Sequence, residues 1–66
     1  MKAKLFMIQY FNYQTDKIWN NQDMDEKIKI AMIRKMTHAI SAYENGLCTV
    51  DETMAIINRP GAGIVD

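Results

Sequence analysis

The sequence predicts a small all-α domain of three helices, at about residues 3–19, 23–45 and 49–58, followed by an irregular tail. Three observations lead there. Apolar residues recur at helical spacing through the middle of the chain. Capping signatures precede the second and third segments. A glycine, Gly46, stands where the second segment should stop.

The first element is the least determined. Residues 3–19 contain no Gly or Pro. Wound as a helix, they place Met7, Phe11, Ile18 and Trp19 on one face with Ile8 and Thr15. Leu5 lies at the edge of that face, and Phe6, Tyr10 and Tyr13 fall elsewhere. The aromatics of residues 3–11 also suit a strand. A strand needs a partner, and no second candidate is visible, so helix is the expectation. Asn20, Asn21 and Gln22 then connect to the next helix.

The second element has the clearest pattern. Ile28, Met32, Ile33, Met36, Ala39, Ile40 and Tyr43 share one face, with Arg34, Thr37, His38, Ser41 and Asn45 opposite. Asp23 suits an N-cap, because its carboxylate can accept from free backbone N–H groups of the first turn. Glu26 stands three residues on, at capping-box spacing. At the other end Gly46 takes a left-handed conformation without a Cβ clash. Leu47 is expected to fold back onto the last turn. Glu44 opposes the helix dipole, a small effect.

The third element opens with Thr49-Val50-Asp51-Glu52, a second capping box. Val50, Met54 and Ile57 form its apolar stripe, and Pro60 ends it. Residues 60–66 should be irregular, as terminal segments often are. The domain proper is therefore residues 1–59. The run from Tyr43 to Glu52 resembles the helix–Gly-Leu–Thr–acidic turn of many short bacterial and phage helical proteins. That resemblance implies architecture and assigns no functional residue.

Composition narrows the function. Sixty-six residues make one domain with a small core, so dense packing or self-association has to supply stability. Cys48 is the only cysteine and His38 the only histidine, which rules out a disulfide within the chain and a four-ligand zinc site. The net charge is zero, against the basic excess typical of nucleic-acid binders and against electrostatic attraction to anionic membrane. No apolar run approaches a membrane span. The single thiol suits a reducing compartment, and a cytoplasmic protein is expected.

Each candidate for chemistry has a plainer reading. His38 lies on the polar face of the long helix as a solvated side chain. Cys48 precedes a helix start, but Asp51 and Glu52 nearby oppose thiolate formation. Asp23, Asp25 and Glu26 fit no calcium-loop register and serve as capping residues. Lys27, Lys29, Arg34 and Lys35 read as a solvated face. No catalytic, metal-binding or cofactor-binding residue is expected, and no enzyme.

The methionines can serve as adaptable core filler or as a pliable binding surface. Phe6, Tyr10, Tyr13 and Trp19 cannot all turn inward with Phe11 and Ile18, so these four are the candidate partner-binding residues. The expected function is protein–protein interaction by a small regulator or inhibitor of bacterial or phage origin that self-associates. The alternative is a nucleic-acid-binding regulator using residues 38–58 as a helix-turn-helix. Acidic Asp51 and Glu52 at the start of its reading helix disfavour that.

Overall fold

The computed structural model describes the backbone of residues 2–63 and the side chains of residues 4–63. Three helices make up the fold: α1 (Lys2–Trp19), α2 (Glu26–Glu44) and α3 (Val50–Asn58). Residues 3–11 are helical, so the strand alternative falls away. No helix is long and apolar enough to cross a membrane among the described residues.

The start of α2 differs from the expectation. Its N-cap is Asp25, not Asp23, and Asp25 accepts from the Lys27 N–H at 3.1 Å. The cause lies upstream. Asn21 Oδ1 accepts from the Asp23 N–H at 2.9 Å, an Asx turn that holds residues 21–23 out of the helix. Met24 packs against the core from this turn, whereas as a helical residue it would project well off the Met32–Met36 stripe.

The end of α2 is a Schellman motif. Gly46 has φ +76°, its N–H donates to the Tyr43 carbonyl at 3.0 Å, and the Leu47 N–H donates to the Ala42 carbonyl at 2.8 Å. The hydrophobic contact expected of Leu47 is not made: that side chain is 77% exposed, and Cys48 is the half-buried residue of the turn. Thr49 and Glu52 then close the capping box reciprocally, at 3.1 and 2.9 Å.

The helices run up, down and up. Lys4 near the start of α1 pairs with Glu44 at the end of α2 at 2.6 Å. Lys29 near the start of α2 donates to the Trp19 carbonyl at the end of α1. Glu44, unfavourable for its own helix dipole, is thus used to hold α1. The hydrogen bond to Glu44, with the attraction of its charge, raises the Lys4 amine above its ordinary pKa.

Met7, Ile18, Met36 and Ile57 form the buried centre. Tyr10, Phe11, Met32, Ile33, Ile40 and Met54 pack around it. Two of the four centre residues are methionines, whose flexible side chains fill the irregular space where a short helix crosses two long ones. Trp19 does not join this core: it is 48% exposed at the last position of α1. Gln14 sits there instead, buried, with its amide donating to the Ile57 and Asn58 carbonyls at 3.0 and 3.4 Å.

The tail does not hang free at its start. Pro60 is buried, the Ala62 N–H donates to the Arg59 carbonyl, and Lys35 Nζ donates to the Ala62 carbonyl. Residues 60–63 therefore form a turn fastened to α2, and residues 64–66 lie outside the described residues.

Candidate protein-binding surface

Three of the four aromatic residues singled out from the sequence come together. Phe6, Tyr10 and Tyr13 stand four and three residues apart, so a helix stacks them along one flank of α1. The Phe6 and Tyr10 rings lie 6.5 Å apart with planes 9° from parallel, and Tyr10 and Tyr13 lie 6.2 Å apart at 14°. These are offset, near-parallel arrangements, which suit the ring quadrupoles better than a face-to-face sandwich. Lys17 continues the row, its ammonium 5.3 Å from the Tyr13 ring centre, where the ring face attracts a cation.

The row leans on α3. The Tyr10 hydroxyl donates to Asn58 Oδ1 at 2.6 Å, so Tyr10 is half-buried and partly structural. Phe6 and Tyr13 have no such tie and are 60% and 56% exposed. Between the row and α3 runs an open cleft. Phe6 and Tyr10 form one wall, Met54 and Ala55 contribute apolar surface from α3, and Asp51 and Asn58 add polar groups. Such a cleft can seat an apolar side chain with a hydrogen-bond donor beside it, the donor meeting the Asp51 carboxylate.

Trp19 is elsewhere. It points to the opposite flank of α1 and lines a groove with Ile30, Ile33, Arg34, Thr37 and His38 of α2. The four residues therefore belong to two surfaces. Ile30 and Leu47, 41% and 77% exposed, were missed as surface residues. Ile30 carried a signal, since it falls outside the apolar stripe of its own helix. Leu47 carried a misleading one, because its position in the Schellman motif suggests burial.

His38 is exposed on α2, and Cys48 is half-buried and unpaired. Among the described residues no group of three or more His, Cys, Asp or Glu side chains gathers as metal ligands. Compared with protein-family models, curated proteins and solved structures, the chain matches none of them.

Proposed function

We propose that this is a non-enzymatic helical protein that acts by binding another protein, as a small regulator or inhibitor, through the aromatic row of α1 and the cleft that the row forms with α3. The observation that carries the reading is the state of Phe6 and Tyr13. Both rings are more than half exposed, yet both are held in place by stacking on Tyr10, which α3 anchors. Ordered aromatic surface loses little side-chain entropy when a partner covers it, and aromatic anchors dominate many interfaces. Free Cys48 supports a reducing, cytoplasmic setting. No observation favours the DNA-binding alternative, since Asp51 and Glu52 stand exposed at the start of α3.

The test is capture of a partner from the native host by the wild-type chain, followed by measurement of its affinity for Phe6→Ala/Tyr13→Ala. Because both side chains are surface residues, the variant should keep its helicity and melting temperature. Its affinity should fall by roughly thirtyfold or more, the loss of one full interface hot spot. A partner bound equally well by wild type and variant contradicts the assignment of the aromatic row. Steeply salt-dependent binding to DNA in place of any protein contradicts the function.

A further inference from the structure

The two long helices touch each other less than either touches α3, although α3 has about half their length. α3 packs against both of them on one side. The other side is left as a groove that no residue of α3 lines. At one end stand Trp19, Ile30 and Arg34. At the other stand Ile8, Ile40 and Glu44. Thr37 stands between the two stretches, so they lie in line along the same side of α2. Its floor is apolar, from Phe11, Ile33 and Ile40, all only half-buried.

We infer that this groove is covered by a second copy of the chain, packed antiparallel across a two-fold axis. Three observations select that occupant. The first is charge. The cation Arg34 marks one end and the carboxylate Glu44 the other, with uncharged Asn12, Thr37 and Ser41 between them. A two-fold axis across the middle brings the Arg34 end of one copy to the Glu44 end of its partner, twice. Interfaces commonly have such a charge-poor centre. Glu44 already holds Lys4 and remains about half exposed, so the second copy's Arg34 would share its carboxylate with Lys4. The chain's net charge of zero leaves two copies without overall repulsion.

The second observation is shape. Exposed Trp19 and Ile30 mark one end, and half-buried Ile8 and Ile40 line the other. The same operation sets apolar end against apolar end. The third is area. The molecule is 35 Å long and between 14 and 20 Å across. A whole face of the molecule thus projects to at most roughly 500–700 Å² per copy, which sets a limit just below the ~800 Å² per partner of a standard stable interface.

This dimer extends the protein-binding reading to a second face, and the two can fail separately. The experiment is sedimentation of the full chain from micromolar to millimolar concentration, for wild type, Arg34→Glu, Glu44→Arg and Arg34→Glu/Glu44→Arg. Wild type should reach dimer mass. Each single reversal should weaken dimerisation on the order of tenfold, since it sets like charges together at two symmetric places. The double reversal restores opposite charges across the axis and should recover most of that loss. The Lys4 pair is lost equally in Glu44→Arg and in the double variant, so recovery reports the contact between copies. Phe6→Ala/Tyr13→Ala should dimerise as wild type does. A wild-type monomer throughout the range overturns the inference. So does a double variant no better than its singles, or dimerisation lost in Phe6→Ala/Tyr13→Ala.

Discussion

Gly46 shows how much one residue of this chain determines. Its φ of +76° closes the Schellman motif, and a Cβ built there meets nothing within 4 Å. Substitution would thus be opposed by backbone conformation alone, with no steric clash. Gly46→Ala should cost about 1 kcal/mol, the ordinary left-handed penalty, and Gly46→Asn less, because asparagine tolerates that region. Denaturant unfolding of the three proteins checks this; equal midpoints would show that the turn does not depend on the left-handed residue. Gly46 was legible in the sequence because its role is local, fixed by residues one to four positions away. The N-cap of α2 was not. Asp23 and Asp25 are equally good acceptors, and the choice rests on the Asx turn at Asn21 and the burial of Met24, both outside the capping pattern.

Among the elements, α3 depends most on the others. Nine residues make a marginal helix in water, so its capping box must be supplemented by packing. Val50, Met54 and Ile57 supply the apolar part, and Gln14 the polar part. The Gln14 amide reaches carbonyls at the C-terminal end of α3, which have no partner inside the helix. Gln14→Leu keeps the side-chain volume but leaves the buried Ile57 carbonyl without its donor. It should destabilise the fold by roughly 1–3 kcal/mol. Hydrogen exchange gives a second readout, with lost protection concentrated in α3; a loss spread evenly over the three helices would show that Gln14 is not its anchor. Gln14 was invisible in the sequence, where a glutamine between Tyr13 and Thr15 reads as solvated surface. Its burial is explained only by where α3 ends, a fact of tertiary structure. The stripe of α2 was legible for the opposite reason: one helix, regularly amphipathic, reveals its inner face without its neighbours.

For the whole molecule, the feature that matters most is the large apolar side chains left exposed. The buried apolar core among the described residues is Met7, Ile18, Met36, Ala39 and Ile57, while six large hydrophobic side chains are exposed. A surplus of aromatic side chains could be counted in the sequence, but not its division into two surfaces. That division depends on α3 covering one flank of α1 and leaving the other to α2. Trp19, the only tryptophan, sits in the groove proposed to be covered by a second copy. Acrylamide quenching of its fluorescence, followed as protein concentration rises from micromolar to millimolar, tests this most directly. Quenching should fall and the emission shift to shorter wavelength as the indole leaves water. Quenching and emission unchanged across the whole range would contradict it.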